Sequence, residues 1–177
     1  MAEDFLPERI LAVLVEHDVV FVLIGGMGAA AHGSPVPTRD VDVTPEASPG
    51  NLTRLAEALR ALHARIRHPR PVVGDGPEGL AFSYDATSLA AAAFWNLTTS
   101  FGDLDIAFTP AASTGYSSLA PAAVVIDFRG VPVQLAGLAD IVASKAAADR
   151  PKDQRALPVL RELLAAQTRA RAARPQP

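Results

Sequence analysis

Residues 19–43, VVFVLIGGMGAAAHGSPVPTRDVDV, constrain this chain more than any other stretch. The run Val19 to Ile24 is continuously apolar rather than alternating, which predicts a strand covered on both faces. Two glycines, Gly25 and Gly26, follow it, and Met27 to His32 then reads as a short helix closed by Gly33. Pro35 and Pro37 make the next connection rigid and non-helical. Asp40 to Thr44 reads as a second strand. Residues two apart on a strand point to the same side, so Asp40 and Asp42 project together while Val41 and Val43 face the core. Adjacent carboxylates repel unless something compensates them. A divalent cation is the usual compensation, and hard oxygen ligands suit Mg²⁺, with Mn²⁺ as an alternative. Glycines at the start of a helix let phosphates approach its unpaired backbone N–H groups. A phosphate cradle beside an acid pair points to chemistry on a nucleoside triphosphate (NTP).

The 177 residues suffice for one domain with a proper core, placed at residues 1–170 with a frayed tail at 171–177. The formal net charge of −3 argues against a general nucleic-acid binder, although Arg60, Arg65, Arg67 and Arg70 offer either a local basic strip or a solvated face. Without cysteine there is neither a disulfide nor a thiolate metal site. The acidic start MAEDFLPERI does not read as a signal peptide and no apolar run spans a bilayer, so the expected location is the cytoplasm, with no membrane partner.

The other elements follow from pattern. Ile10, Leu11, Leu14 and Val15 predict a helix over 7–17. Ser48 is the expected N-cap of a helix to about residue 65, with Leu52, Leu55, Leu59 and Leu62 on one face. His68 to Gly79 reads as a loop able to close over a substrate. Thr87 or Ser88 is expected to cap a short helix through Trp95. Two strands, 96–101 and 103–108, then meet at Gly102, and a small-residue connection runs from Pro110 to Pro121. A hairpin over 123–135 turns at Arg129-Gly130. Helices over 138–148 and 151–170 close the chain, the second with Leu157, Leu160, Leu163 and Leu164 inward.

A two-metal phosphoryl-transfer site needs about three acids to hold ions roughly 3.5–4 Å apart. GDLDIAF supplies Asp103 and Asp105, which alternation puts on the same face. Asp103 beside Gly102 suits an exposed strand end, which favours Asp105 as the third acid. Lys145, in IVASKAAAD, and Lys152, in RPKD, offer positive charge to neutralise a triphosphate and help pyrophosphate leave. Asp153 would orient a lysine or the substrate hydroxyl. Each residue also has an ordinary structural reading: lysines on helices are mostly solvated, and an acid in a first turn favours the helix dipole.

The segments FVLIGGMGAAAHG, PTRDVDV, FGDLDIAF, Gly115-Tyr116 and DIVASKAAADRPKD, taken in order, resemble the DNA polymerase β-like nucleotidyltransferase superfamily. More narrowly they resemble the minimal AbiEii/MenT-type nucleotidyltransferase toxins, and the likeness spans roughly residues 19–155. It implies an α/β (α+β) fold with a short mixed sheet and flanking helices. It further implies nucleotide binding by Gly25, Gly26, Thr38, Lys145 and Lys152, and metal binding by Asp40, Asp42 and Asp105. Catalysis would involve those acids with Lys145 and Asp153. The implied reaction moves a nucleoside monophosphate from an NTP to a hydroxyl, on tRNA in the toxins, where a cognate antitoxin protein would be the partner. The same core also modifies small molecules such as aminoglycoside antibiotics, and a degenerate copy would only bind nucleotide. The chain departs from the pattern at Gly26, where a serine is common, and at Val36, where an arginine is common.

Overall fold

The order of elements follows the apolar patterning closely. The computed structural model describes residues 5–67 and 80–173. Among these the chain runs α1 (Pro7–Glu16), β1 (Phe21–Ile24), α2 (Gly25–Ala31), β2 (Asp40–Pro45), α3 (Pro49–Ala61) and β3 (Arg65–Ile66). It continues through α4 (Ala86–Ala90), β4 (Phe94–Thr99), β5 (Gly102–Ala107), α5 (Tyr116–Leu119) and β6 (Val124–Phe128). It ends with β7 (Val131–Leu135), α6 (Leu138–Ala148) and α7 (Pro151–Ala172). The strands form one seven-stranded mixed sheet in the order β3-β4-β5-β2-β1-β7-β6. This is the mixed α/β sheet with flanking helices that the sequence predicts. The proposed loop 68–79 and the last tail residues, 174–177, lie outside the described residues.

The sheet is covered on both faces, which explains why β1 is apolar throughout. Phe21 and Leu23 join a cluster with Ile10, Leu11 and Leu14 of α1 and Leu52, Leu55 and Leu59 of α3. Val22, on the opposite face, packs with Leu138 and Ile141 of α6 and Ala156 and Leu160 of α7. Val41 and Val43 are completely buried in the first cluster, so Asp40 and Asp42 must emerge on the face shared with α6 and α7. The pairing of β2 with β1 is antiparallel and that with β5 is parallel.

Polar side chains fix several junctions that periodicity does not reveal. Buried Asn51 of α3 accepts the Val20 N–H at 2.7 Å and donates to the Val20 and Glu46 carbonyls, each at 2.8 Å. That bond set pins α3 to the entry of β1. Ser48 occupies the cap position, but its hydroxyl donates to Glu46 instead of capping the helix. The helix also stops at Ala61, short of 65, and His63 takes a positive φ of 51° before β3.

The helix expected to run through Trp95 is corrected too. Asp85 caps α4 by accepting the Ser88 N–H at 2.7 Å, and the helix ends at Ala90. Phe94 and Trp95 belong to β4, where branched and aromatic residues fit the pleat, and the Trp95 indole donates to the Leu89 carbonyl. The β4–β5 turn therefore lies at Ser100-Phe101, one step before Gly102. The β6–β7 hairpin turns at Arg129-Gly130, as predicted, with φ of 52° and 89°. Positive φ at both turn residues matches the twist of the flanking strands.

Candidate active site

The acid cluster is assembled by strand register. On β2, Asp40 lies opposite Asp103 of β5 and Asp42 lies opposite Asp105. Asp40, Asp42 and Asp105 each offer a carboxylate oxygen, and the three oxygens lie within 4.8 Å of one another. Alternation leaves both β5 acids on this face, and the structure separates them by surroundings. Asp105 joins the cluster, whereas Asp103 is ion-paired with Arg67 at 2.5 Å. Arg67 also reaches Asp105 at 2.5 Å.

The electrostatics follow from that crowding. Burial pushes the Asp42 carboxyl up to about 6, and the neighbouring charges of Asp40 and Asp105 push in the same direction. The Gly26 N–H, 3.2 Å from Asp42 Oδ2, and Lys152 pull it back in part. Asp105 is also raised, first by burial and then by Asp40, against the opposing charge of Arg67. The cluster is short of positive charge. Three hard carboxylate donors at this spacing suit a divalent cation such as Mg²⁺.

The two glycines are explained by what surrounds them. Helix α2 begins at Gly25 itself, without a separate glycine turn. Gly25 has φ of +62°, and a Cβ there would lie 2.0 Å from Asp42 Oδ2. At Gly26 a Cβ would lie 2.5 Å from Thr38 Oγ1 and 2.9 Å from Thr38 Cβ. The Thr38 hydroxyl donates to Asp40 Oδ1 at 2.6 Å. Thr38 thus fills the space that a side chain at 26 would need. At the second departure, Val36 packs on the α6–α7 cluster. Gly26→Ala is expected to cost roughly 1–3 kcal/mol by overpacking, with Thr38→Gly in the same chain recovering part of it. Urea melts of the two single variants and the double variant check this, and additive losses would count against the contact.

The opposite wall comes from α6 and the start of α7. Asp149 ends α6 with φ of 49°, so the chain turns sharply and brings RPKD back toward the sheet. Asp153 is fully buried and holds Lys145 Nζ at 3.1 Å and Arg150 Nε at 2.5 Å. Burial alone would raise its carboxyl, but the two cations outweigh that and leave it below the usual range. Of the two roles open to Asp153, its burial and partners match orienting a lysine. Lys145 is only 13 % exposed and lines the same cavity as Asp42 and Asp105. The more exposed Lys152 lies 3.8 Å from Asp40 Oδ2.

Between these walls is a cavity of about 240 Å³. Asp42, Asp105, Lys145 and Arg150 are among its lining, Ile24, Ile106, Leu119 and Ile141 supply apolar wall, and Phe94 and Asn96 of β4 also line it. Two polar contributors to the site, Arg150 in the cavity wall and Arg67 beside the acids, escaped the sequence reading. Arg150 was legible only as part of RPKD, and nothing local marks Arg67 as a partner of the acids. Of the two readings left open for Arg60, Arg65, Arg67 and Arg70, the basic strip loses two of its members to internal partners. Arg60 donates to the Tyr84 carbonyl and Arg67 is committed to two aspartates, while Arg70 lies outside the described residues. His32, at the end of the predicted short helix, donates from Nε2 to the Ala136 carbonyl at 2.7 Å.

Neither a family model nor a curated protein matches the chain. Solved structures do. The lincosamide antibiotic adenylyltransferase LnuA, with lincomycin bound, superposes with a TM-score of 0.57 at 15% identity, over 89% of this chain and 95% of that one. The antibiotic-resistance factor ANT(2'')-Ia, in its complex with adenylyl-2''-tobramycin, gives 0.54 at 16% identity over 94% and 97%. The solution structure of ANT(2'')-Ia gives 0.52 at 15% identity, over 94% of this chain and 91% of that one. None of these is an AbiEii/MenT-type toxin, so the narrower resemblance has no counterpart among them. What the chain shares with all three is the fold on which nucleotidyltransferases of antibiotics are built.

Proposed function

We propose that this protein is a divalent-metal-dependent nucleotidyltransferase that moves a nucleoside monophosphate from an NTP to a hydroxyl of a small molecule. The observation that carries the reading is one cavity lined by charges of both signs: Asp42 and Asp105 of the three-carboxylate cluster on the sheet, and Lys145 and Arg150 on the helical wall. In this reading Asp40, Asp42 and Asp105 hold the metal. A bound Mg²⁺ or Mn²⁺ would polarise the α-phosphate and offset charge on the triphosphate. Lys145, held by Asp153, and Lys152 face the leaving pyrophosphate. Gly25 and Gly26 keep the backbone close to Asp42, beside the cavity, and Thr38 orients Asp40. The acceptor oxygen forms a bond to the α-phosphorus, the bond to the bridging oxygen breaks, and pyrophosphate leaves. Asp105 takes the acceptor proton as general base.

The acceptor reading rests on the shape and chemistry of the cavity. Its apolar walls suit a compact organic molecule with a hydroxyl better than a polyanionic RNA. Arg60 and Arg67 are spent on internal partners, which weakens the case for tRNA and for the toxin role with its antitoxin. The antibiotic acceptors named for LnuA and ANT(2'')-Ia point the same way.

Incubation with each of four α-labelled NTPs, Mg²⁺, and lincomycin, tobramycin or total tRNA tests the reading. Label should pass to a small molecule, and EDTA should stop it. Label on tRNA alone would overturn the acceptor reading. Neither label transfer nor pyrophosphate release with any acceptor would leave a nucleotide-binding domain without catalysis.

A further inference from the structure

Arg67 touches the acid cluster from the sheet side, and it comes from an unexpected place. It follows β3 directly, and its backbone N–H donates to the Asn96 carbonyl of β4 at 2.8 Å. Its side chain then crosses β4 to reach Asp103 and Asp105 on β5, two strands away from β3. Two strand spacings are roughly 10 Å, a distance for which arginine has both the length and the forked head. Nη1 takes Asp103 Oδ2 and Nη2 takes Asp105 Oδ1, each at 2.5 Å.

We propose that Arg67 is a positioning residue for Asp105, and that Asp103 serves the site by gripping Arg67 rather than by holding metal. The inference rests on the nucleotidyl-transfer reading for its consequence, but its geometry stands apart from it. A carboxylate beside two others of like charge is pushed to rotate away from them. A guanidinium fixed to one of its oxygens opposes that rotation, and a second anchor on Asp103 keeps the guanidinium itself from swinging. The three side chains are partly exposed, at 31%, 36% and 20% for Arg67, Asp103 and Asp105. Ion pairs with that exposure contribute little to folding, so a structural tie alone is a weak reason for the arrangement. Lys cannot replace Arg67 fully, because a point charge does not bridge two carboxylates in a fixed fork.

The test combines kinetics with crystallography on the full chain. With Mg²⁺, ATP and whichever of lincomycin or tobramycin is modified, Arg67→Ala should lower kcat about 10- to 100-fold, the range seen when a ligand's supporting partner is lost. KM for ATP should change less than about threefold, because the same range of loss falls on orientation rather than on nucleotide contact. Arg67→Lys should fall in between. Asp103→Asn should lower kcat in the same direction, and the double variant should be no worse than Arg67→Ala, because both changes remove one device. Multiplied losses, or wild-type kcat in Arg67→Ala, would overturn the proposal. Crystal structures of Arg67→Ala should show the Asp105 carboxylate in more than one orientation. A single wild-type orientation at full occupancy would overturn it even if the wild-type protein proves to have no transferase activity. Failure of the transferase reading itself shows differently, as absent pyrophosphate release in the wild type.

Discussion

Asp42→Asn is expected to abolish nucleotidyl transfer and, without divalent metal, to make the protein more stable at neutral pH. The loss of activity should be on the order of 10³-fold or more, since removing a ligand exceeds the 10–100-fold typical of a supporting partner. The gain in stability follows from the carboxyl pushed up to about 6 by burial and by Asp40 and Asp105. The sign comes from comparing folded and unfolded proton affinity. The folded chain holds the Asp42 proton more tightly than the unfolded chain, whose carboxyl titrates near 3.8. Ionising Asp42 therefore costs stability as pH rises from about 4 to about 6, and the cost stays constant above that. Asparagine keeps the shape and can accept the Gly26 N–H, but carries no charge to bury. The variant should gain roughly 1–3 kcal/mol over the wild type above pH 7, and almost nothing below pH 4. Urea melts in EDTA across this pH range, with the labelling assay in parallel, check both parts. An active Asp42→Asn enzyme would remove Asp42 from the mechanism, and a stability gap of opposite sign would contradict the electrostatic account.

Gly25→Ala should be the most damaging single methyl group in the site. Its backbone sits at φ +62°, which costs a residue with a Cβ about 1–2 kcal/mol. The new Cβ would also meet Asp42 Oδ2 at 2.0 Å and Asp42 Cγ at 2.3 Å. Asp42 cannot retreat easily, because Val41 and Val43 on either side are completely buried. Overpacking of this kind adds roughly 1–3 kcal/mol, for a total near 2–5 kcal/mol. Displacing Asp42 should also remove Mn²⁺ binding, measured by electron paramagnetic resonance. Gly33→Ala is the control: φ is +101° there, but nothing lies within 4 Å of a Cβ. It should show backbone strain alone and leave Mn²⁺ binding intact. Equal losses in the two variants would mean that the contact with Asp42 is unimportant.

Local pattern foretold the acid pair and its surroundings because a strand's alternation is a local property. Asp40 and Asp42 alternating with buried Val41 and Val43 needed no tertiary information. Where two local signals competed, the reading failed. Thr87 and Ser88 looked like caps, but Asp85 makes the stronger acceptor, and Trp95 was drawn into the sheet by pairing with β5. Ser48 had the right position for a cap and a better partner in Glu46.

The sequence by itself determined a two-faced sheet, a glycine pair before a short helix, and carboxylates spaced to share one side of a strand. These follow from periodicity and from the conformational limits of Gly and Pro, which act over a few residues. Only the tertiary structure separated Asp103 from Asp105, because both share a face and it is Asp105 whose carboxylate gathers with those of Asp40 and Asp42. It likewise decided that Gly26 must stay small beside Thr38, and that Asp153 is a buried anchor for Lys145 and Arg150. Such contacts join residues distant in sequence, and their energies depend on burial and on angles that no local pattern encodes.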